Sequence, residues 1–538
     1  MTEKKAGNQR NQIWYKSREY TPVKIALAKR ALEDILHGKD VFEAIRKHPL
    51  PGGEGYLGKH VLVAAYRQMV AEGTWKENPS LLASIRMKPM RTLSGVTTVT
   101  VLTKPYPCPG QCIFCPTDER MPKSYLPDEP GAMRAYHHHF DPYEQVKARI
   151  AALQAIGHPT DKIELLVLGG TWNAYPASYR KWFIHRCLDA MNGQETQTLQ
   201  EAQAFNETAK HRNVGLVIET RPDQINKREI IGMRQLGVTK VQMGVQSLDD
   251  RILALNKRGH TVADTRRAVA LLRAAGFKIV LHWMPNLLGA TPDSDREDFL
   301  RLWQGINPDE IKIYPTQLLE GTELYQAWQR GEYKPYTTEQ LIRLIADVKS
   351  TIPRYCRVNR IIRDIPSEHV VEGNKRTSLR QDAQRELARR GQHCQCIRCR
   401  EVRGQKVDYA HLVLNDTVTK ADFAEEHFLA FDTPEDKLTG FLRLSLPISG
   451  APQTGIADLE NAAIIREIHV YGQSLQVGEA QQGAAQHAGL GTQLMETARE
   501  IARSKGYRRL AVISAIGTRQ YYLRRGFRRG DYYLIQDL

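Results

Sequence analysis

The chain has 538 residues, of which 41% are hydrophobic and 25% charged, a composition typical of a globular protein of about three to four domains. Lys and Arg number 76 against 60 Asp and Glu, so the net charge of +16 predicts a polyanionic partner such as nucleic acid, or an anionic membrane surface. No apolar run is long enough to span a bilayer, and the N-terminus lacks the apolar stretch of a secretion signal. We therefore expect a soluble, cytoplasmic protein without a membrane segment.

Residues 1–80 are expected to form a basic helical segment that binds nucleic acid. Positions 1–50 contain 11 Lys and Arg against 6 Asp and Glu, and apolar residues recur at helical spacing in 24–48. Residues 81–104 carry basic side chains and no acidic one. The basic residues expected there to contact phosphate are Arg86, Lys88 and Arg91.

Residues 81–365 are expected to form one α/β domain in which short apolar runs alternate with amphipathic stretches. The predicted strands are 97–103, 163–170, 214–220, 240–245, 278–283 and 310–315. The predicted helices are 143–156, 178–191, 225–236, 261–276 and 336–350. Continuous apolar strands separated by helices favour a parallel sheet, and this number of units predicts a partial or full (β/α) barrel. A doubly wound open sheet is the main alternative.

Three cysteines follow the first predicted strand, in the loop PCPGQCIFCP. Cys108, Cys112 and Cys115 are spaced so that their thiolates can bind three irons of a [4Fe–4S] cluster and leave the fourth iron open to a small molecule. The prolines and the glycine of this stretch favour a loop over a helix, which lets the thiols converge. A zinc site with a distant fourth ligand is the alternative.

This cysteine spacing resembles that of the radical S-adenosylmethionine superfamily, and longer stretches narrow the resemblance. They are PKSYLPDEPGAMRA (122–135), DPYEQVKARI (141–150), LVLGGTWNAYP (166–176), VIETRPD (217–223), GVQSLDD (244–250) and LHWMPNLLGATPD (281–293). They resemble the catalytic subunit of the Elongator complex, a family of enzymes that build the carboxymethyl side chain of the tRNA wobble uridine. The likeness covers about 80–538, and it implies that S-adenosylmethionine binds the open iron.

The same resemblance implies which residues hold S-adenosylmethionine. They are Gly169, Gly170, Thr171, Glu219, Arg221 and Gln246. The first three match the turn that contacts the methionine amine, and glycines at a strand end let backbone approach a ligand closely. The last three end neighbouring strands, where barrel enzymes place active-site groups. A plain ion pair between Glu219 and Arg221 is the alternative.

A second cysteine cluster lies in a basic stretch, where 371–406 holds 10 Lys and Arg against 4 Asp and Glu. The cysteines are Cys394, Cys396 and Cys399. Three soft ligands so close together predict a structural zinc site within a linker of residues 366–410. The candidates for the fourth ligand are His369 and Cys356. A thiol cluster without metal is the alternative.

Residues 411–538 show a second α/β pattern. Its predicted strands lie near 427–431, 441–446, 464–471, 509–514 and 532–536, with an amphipathic helix at 489–504. Before that helix comes the turn Gln486-x2-Gly489-Leu490-Gly491, whose backbone amides can hold an anion, although a plain helix cap is the alternative. The succession of strand, turn, helix and strand resembles the Gcn5-related acetyltransferase fold.

That second resemblance implies acetyl-CoA as a co-substrate. The turn residues Gln486, Gly489, Leu490 and Gly491 would hold its pyrophosphate. The strand residues implied to line its acetyl group are Glu467, Ile468, His469 and Val470. Tyr521 and Tyr522 match the paired tyrosines that this family places near the thioester, and we assign the catalytic role to the pair.

Arginines recur every third residue in RYCRVNRIIRD, at Arg354, Arg357, Arg360 and Arg363. The spacing is not that of a core element and predicts a surface that faces phosphate. Together with the other basic stretches, these residues would position tRNA while a flipped-out base is bound inside the barrel. A solvated basic surface is the alternative.

The interpretation is a two-step enzyme that forms 5-carboxymethyluridine in tRNA. The resemblance implies that acetyl-CoA delivers the acetyl unit and that S-adenosylmethionine yields a 5′-deoxyadenosyl radical, which abstracts hydrogen from the acetyl methyl group. The rival hypothesis is a protein lysine acetyltransferase with a structural iron–sulfur cluster. The expected partners are the tRNA anticodon stem-loop and acetyl-CoA, and the oligomeric state, a homodimer included, is left open.

Overall fold

The computed structural model describes residues 20–53, 55–89, 92, 94–403, 405, 407–471 and 489–538. They form two compact units. The first contains the chain up to Thr97 together with Lys147–Thr160, and the second contains Thr98–Val146 and Asp161–Leu538. Within the described ranges, none of the helices has both the length and the apolar character of a membrane span.

The first unit is helical. Its helices are α1 (Pro22–Leu36), α2 (Val41–Lys47), α3 (Lys59–Ala71) and α4 (Pro79–Ile85). α1 begins where Thr21 Oγ1 accepts the Lys24 backbone N–H at 3.3 Å, with a proline in its first turn. Apolar side chains of all four helices form one core, and the helical spacing seen in 24–48 is that of α1 and α2.

The second unit is built on two seven-stranded sheets. The strands of the first are β1 (Thr97–Leu102), β2 (Lys162–Leu168), β3 (Arg212–Thr220), β4 (Lys240–Gln246), β5 (Lys278–Trp283), β6 (Glu310–Ile313) and β7 (Arg357–Ile361). They lie in sequence order, and the pairs from β2 to β7 are parallel. A doubly wound sheet would reverse its strand order at a switch point. The partial barrel is therefore confirmed, and the doubly wound alternative is wrong.

Helices connect these strands. They are α5 (Pro130–His137), α6 (Pro142–Ala155), α7 (Ala177–Asn192), α8 (Leu199–Asn206), α9 (Lys227–Leu236), α10 (Asp250–Leu255), α11 (Val262–Ala274), α12 (Pro292–Leu300), α13 (Glu323–Gln329) and α14 (Thr338–Ser350). Several begin at capping boxes that the sequence shows directly, as at Thr198, Thr261 and Thr337. The five predicted helices of this region are present, with small differences at their ends.

β7 corrects the interpretation of the arginine run. Two of the four arginines, Arg357 and Arg360, lie within β7, which is the edge strand of the partial barrel and whose apolar residues are buried. Its register with β6 pairs Arg357 with Glu310 and Arg360 with Lys312, across an irregularity. Such a bulge places two residues three apart on one face of the sheet. Both arginines therefore share the face that carries Glu310 and Lys312, called the inner face below.

Two short helices precede the second sheet, α15 (Leu379–Arg389) and α16 (Ile397–Arg400). Its strands are β8 (Val413–Ala421), β9 (Ala424–Asp432), β10 (Leu438–Pro447), β11 (Ala462–Val470), β12 (Arg509–Val512), β13 (Arg528–Arg529) and β14 (Leu534–Asp537), in the order β13-β14-β12-β11-β10-β9-β8. The helix α17 (Leu490–Ser504) packs on this sheet, and α18 (Arg519–Leu523) follows β12. The prediction missed β8, an edge strand exposed along most of its length, and β13, which has two residues.

Candidate active site

Three thiols lie in the loop after β1, at the edge of the sheet where the parallel strands end. Cys108 Sγ lies 3.5 Å from Thr171 Oγ1, and Arg258 Nη1 donates to Cys112 Sγ at 3.4 Å. Among the described residues, the cysteine sulfurs that lie close enough together to bind one metal ion are those of Cys394, Cys396 and Cys399. Three thiolates on separate irons of one cluster need no such convergence. This loop therefore stays the candidate for the iron–sulfur cluster that the resemblance implies.

Positive charge surrounds this loop. Burial and the neighbouring Cys112 raise the pKa of Cys115 to about 11, whereas Lys123 and Arg363 act to lower it. A thiolate at Cys115 therefore depends on nearby cations or on a metal. Arg258, which donates to Cys112, supplies a further cation at the same loop.

The glycine turn after β2 lies directly against the cysteine loop. Gly169 has a φ of +127° and Gly170 one of +92°, values that favour glycine. A Cβ on Gly169 would collide with Thr103 Oγ1. The Gly169 carbonyl lies 3.0 Å from the Tyr175 hydroxyl, which fixes the turn. The turn therefore has backbone that favours glycine, and it packs closely against Thr103 at the end of β1.

Buried polar atoms without partners cluster at the ends of the central strands. In the described part of the chain they include Trp172 Nε1, Thr220 Oγ1, Arg221 Nη1, Gln246 Oε1 and both ring nitrogens of His260. Buried polar groups are nearly always hydrogen-bonded, so such a group of orphans indicates a bound polar ligand. Gln246 also has a φ of +70°, a strained conformation of the kind found at ligand sites. These atoms fit the amino, carboxylate and ribose groups of S-adenosylmethionine.

The ion pair proposed between Glu219 and Arg221 as an alternative is wrong. Arg221 Nε donates to Asp223 at 2.9 Å and its Nη2 donates to the Arg258 carbonyl at 2.7 Å. Glu219 instead accepts from the Tyr125 hydroxyl at 3.1 Å. The two side chains therefore have separate partners, and one guanidinium nitrogen stays available.

Two residues of the inner face, His282 and Gln242, were not among the site residues predicted from the sequence. His282 Nδ1 lies 3.7 Å from Glu219 Oε1, and its Nε2 lies 3.1 Å from Gln242 Oε1. Burial, together with Lys312 and Arg363, holds the pKa of His282 well below its usual range, so this imidazole is neutral. Each of these side chains sits on or after a barrel strand, and that position was the signal available in the sequence.

A chain of buried charges on the inner face joins the two sheets. Lys240 pairs with Glu164 at 2.6 Å and with Glu310 at 3.4 Å, and Lys278 pairs with Glu310 at 3.2 Å. Lys278 also pairs with Glu467, which belongs to β11 of the second sheet. Burial opposes the ionisation of Glu467, but Lys278 and Arg443 lower its pKa to about 2. The strand assigned to acetyl-CoA therefore faces the interior of the partial barrel.

The four β11 residues assigned to acetyl-CoA divide between the two faces of that strand, as alternation requires. Ile468 and Val470 lie near the position where a Cβ on Gly491 would be. Glu467 and His469 point the other way, toward the charges and aromatic rings at the junction. Burial lowers the pKa of His469 to about 4, which makes it a neutral imidazole.

The end of the turn before α17, from Gly489, lies within the described residues. Gly489 has a φ of +73° and precedes the helix without any side-chain cap. A Cβ on Gly491 would lie 2.7 Å from the Tyr521 hydroxyl, so this tyrosine reaches the helix N-terminus. Leu490 packs in the core of the second sheet. Gln486 lies outside the described residues.

The paired tyrosines have different surroundings. Tyr521 is partly exposed, and the Arg525 guanidinium lies 3.7 Å from its ring centroid. Tyr522 is buried and packs edge to face with Phe527 at 5.7 Å. Burial raises the pKa of both hydroxyls. The geometry therefore favours Tyr521 over Tyr522 as the residue that meets a ligand.

The second cysteine trio forms a compact group. The sulfurs of Cys394, Cys396 and Cys399 all lie within 4.8 Å of one another. No fourth His, Cys, Asp or Glu of the described residues joins them, and His369 instead pairs with Asp128. The Nζ atom of Lys349 is buried near these thiols and has no hydrogen-bond partner among the described residues.

Most of the basic residues assigned to phosphate have protein partners. Arg354 pairs with Asp432 at 3.2 Å and also with Asp436. Arg357 is bound to Glu401 and to the Tyr471 hydroxyl. The arginine run is therefore not a uniform surface: Arg357, on β7, is paired inside the protein, whereas the side chains of Arg354 and Arg360 are 32% and 39% exposed.

Two of the remaining basic residues also have protein partners. Arg360 pairs with Asp364, and Arg86 donates to the Gly157 carbonyl at 2.9 Å. Lys88 is exposed, with a φ of +49°. Arg91 lies outside the described residues.

An open parallel half-barrel with a three-cysteine loop after its first strand defines a radical S-adenosylmethionine enzyme. Residues 106–302 match the Radical SAM superfamily, and 308–389 match the Radical_SAM C-terminal domain. The chain is 42% identical to a tRNA uridine(34) acetyltransferase of Methanocaldococcus infernus over 88% of this chain and 91% of that protein. It is 36% identical to human Elongator complex protein 3, over 85% and 87% of the two chains.

A solved structure agrees with these relatives. An archaeal Elp3 of Methanocaldococcus infernus with an N-terminal deletion superposes with a TM-score of 0.71 and 39% identity, covering 82% of this chain and 99% of that one. The chain belongs to the family of Elongator complex protein 3 and the tRNA uridine(34) acetyltransferases.

Proposed function

We propose that this chain converts the wobble uridine of tRNA to 5-carboxymethyluridine, with acetyl-CoA as co-substrate and S-adenosylmethionine as the radical source. The observation that carries the proposal is the pairing of Glu467, on the acetyltransferase strand, with Lys278, on the inner face of the half-barrel. The acetyl-CoA step and the radical step would then both take place in the interior of the half-barrel. The name of the relatives, tRNA uridine(34) acetyltransferase, supports the substrate.

The cluster would be held by Cys108, Cys112 and Cys115. S-Adenosylmethionine would contact Gly169, Gly170, Thr171, Glu219, Arg221 and Gln246. When bound, the two groups supply the radical that activates carbon for bond formation. The protein contributes placement: the unpartnered Arg221 Nη1 and Gln246 Oε1 would orient the ligand, and the buried, neutral His282 lies 3.7 Å from Glu219.

Acetyl-CoA would lie along β11 and the turn before α17. The residues assigned to it are Glu467, Ile468, His469, Val470, Gln486, Gly489, Leu490 and Gly491. Of the tyrosine pair, Tyr521 is the better candidate to meet the thioester, because its hydroxyl reaches the helix N-terminus. Burial raises its pKa, so the hydroxyl stays protonated and can donate a hydrogen bond to the thioester oxygen.

The domain roles follow from these sites. Residues 1–80 would bind the body of tRNA, 81–365 would form the radical domain, 366–410 a linker and 411–538 the acetyltransferase domain. Of the phosphate-binding candidates, Lys88 is exposed and Arg360 is half-buried, with a side chain that is 39% exposed. A tRNA substrate also agrees with a cytoplasmic location.

Zinc is proposed for the linker trio. Three buried or half-buried thiols in one group match the soft donors that zinc prefers, and Lys349 lies close enough to offset their charge. Metal analysis of the purified chain checks this. About one zinc per chain is expected, with loss of zinc in Cys396→Ala and retention in Cys187→Ala, which removes an isolated thiol.

Anaerobic reconstitution with iron and sulfide, followed by nucleoside analysis of treated tRNA, tests the proposed function. We expect 5-carboxymethyluridine when both cofactors are present and none when either is omitted. Cys112→Ala should form no product while Cys187→Ala remains active. Rapid acetylation of histone peptides, with unmodified tRNA, would instead support the lysine acetyltransferase hypothesis and overturn this one.

A further inference from the structure

A row of four aromatic rings leads from the surface of α7 to the cysteine loop. The ring centroids of Trp182 and Tyr179 lie 5.6 Å apart, and Tyr179 stacks on Tyr175 at 5.2 Å. Tyr175 in turn contacts Tyr106 at 4.7 Å. Tyr106 is two residues before Cys108, so the row connects the outer surface with the candidate cluster site.

The inner part of this aromatic row is firmly held. The Tyr175 hydroxyl lies 2.7 Å from the Lys104 carbonyl and 3.0 Å from the Gly169 carbonyl, and it accepts from Thr103 Oγ1 at 2.8 Å. The Lys104 backbone N–H donates to the Tyr179 hydroxyl at 3.2 Å. Rings fixed in this way lose little conformational freedom when another flat group stacks on them.

The rings at the two ends of the row are open to solvent, and lysines lie beside the row. Trp182 is 43% exposed and Tyr106 is 37% exposed. The Lys104 ammonium lies 5.1 Å from the Tyr179 centroid, and exposed Lys181 is adjacent to Trp182 in the sequence. Exposed aromatic faces beside lysines are the arrangement by which proteins bind single-stranded nucleic acid, through base stacking and phosphate contacts.

We propose that Trp182 and Tyr106 stack with unpaired bases of an RNA loop, while Lys104 and Lys181 contact the adjoining phosphates. The inference rests on the proposed function and adds a site to it. An enzyme that flips a base out of a loop must unstack the neighbouring nucleotides, and new stacking partners offset that cost. The net charge of +16 favours RNA as the occupant of this face over a basic or neutral protein surface.

The test uses the full chain and an anticodon stem-loop RNA that carries 2-aminopurine in its loop. Trp182→Ala and Tyr106→Ala should each weaken binding roughly ten- to hundredfold, the effect of losing one base stack. Trp182→Phe and Tyr106→Phe should retain the binding, because the ring and not the polar atom makes the contact. Phe205→Ala is the matched control, since Phe205 is 42% exposed outside the aromatic row.

Salt dependence separates stacking from charge. The slope of log affinity against log salt should not change in Trp182→Ala, and it should fall by about 0.7 in Lys181→Met for one lost phosphate contact on a single strand. The 2-aminopurine signal should be quenched on binding to the wild type and less so on binding to Trp182→Ala.

Two results would overturn the inference. One is equal stem-loop affinity in Trp182→Ala and the wild type. The other is unchanged RNA affinity with slower S-adenosylmethionine cleavage from a protein reductant but not from dithionite, because the row would then dock the reductant. If the wild type binds the stem-loop through Trp182 yet never modifies tRNA, the proposed function fails and the stacking surface stands.

Discussion

Arg466 of β11 and Asp309, which precedes β6, form a buried ion pair between the two sheets of the second unit. Arg466 Nη1 donates to Asp309 Oδ1 at 3.0 Å and to Glu426 Oε2 at 2.7 Å. Its Nη2 also donates to the Phe277 carbonyl at 3.0 Å. A buried charge is tolerated only when it is paired and hydrogen-bonded, so this arginine specifies how the acetyltransferase sheet docks on the half-barrel.

Replacing that arginine should destabilise the protein strongly. Arg466→Met removes one of the two cations that each carboxylate contacts, since Asp309 also pairs with Arg443 at 3.4 Å and Glu426 with Arg273 at 3.3 Å. The loss of the doubly paired arginine should cost up to about 3–5 kcal/mol, the range for breaking a buried ion pair. Denaturant unfolding followed by fluorescence measures the loss. Arg528→Ala is the control, because its ion pair with Asp537 at 3.3 Å is solvent-exposed and contributes about 0–1 kcal/mol. Equal stability of the two variants would contradict the role given to the junction.

Cys112→Ala should abolish S-adenosylmethionine cleavage and leave tRNA affinity nearly unchanged. The thiolate ligates the cluster, whereas affinity comes from phosphate contacts distributed over the protein. The formation of 5′-deoxyadenosine after reconstitution and a filter-binding titration provide the two measurements. A variant that still forms 5′-deoxyadenosine would refute the cluster assignment.

Substitution of Tyr521 and of Tyr522 should have different effects on acetyl-CoA turnover. Tyr521→Phe removes the hydroxyl near Gly491 and should slow acetyl-CoA turnover about a hundred- to a thousandfold, the range for loss of one donor to a developing oxyanion. Tyr522→Phe changes a buried hydroxyl in the core and should have little effect on turnover. Release of free CoA with and without tRNA measures both, and the iron–sulfur absorbance should stay constant. An equal loss of turnover in the two variants would show that the two tyrosines contribute equally.

Arg357→Ala should not alter the salt dependence of tRNA binding. Its guanidinium is bound to Glu401 and Tyr471, so no phosphate contact is lost. The expected effect is lower stability, since the Glu401 carboxylate loses one of its two cationic partners and keeps Arg403 at 3.6 Å. A filter-binding titration over a range of salt concentrations measures the slope. A drop of about 0.9 in the log–log slope would show that this arginine faces phosphate after all.

The free energy of unfolding should fall as the pH rises from about 4 to about 7, because of the buried carboxyl group of Asp295. Burial raises its pKa from 3.8 to about 7, so between these values the folded state holds a proton that the unfolded state has released. Stability therefore falls with rising pH across this window. Asp295→Asn, which mimics the protonated acid, should flatten the dependence, and exposed Asp293→Asn on the same helix should not. Unfolding curves at several pH values check the difference.

The sequence by itself determined the local features of the protein. The strand and helix succession predicted a partial barrel because both periodicities are written in adjacent residues. The sequence also predicted the cysteine loop and the glycine turn at Gly169, since backbone conformation and ligand spacing depend on neighbours in the chain. The sequence did not show, however, that the arginine run contains an edge strand, because the partner of Arg357 is Glu401, which lies far along the chain.

Only the tertiary structure decided the contacts between distant segments. It separated Tyr521 from Tyr522, paired Glu467 with Lys278 and aligned Trp182 with Tyr106. Each contact joins side chains on different elements, and the packing of one sheet against another or of a helix against a loop sets its geometry. The desolvation that lowers or raises a pKa has the same origin, because burial is a property of the folded chain and not of any local stretch of sequence.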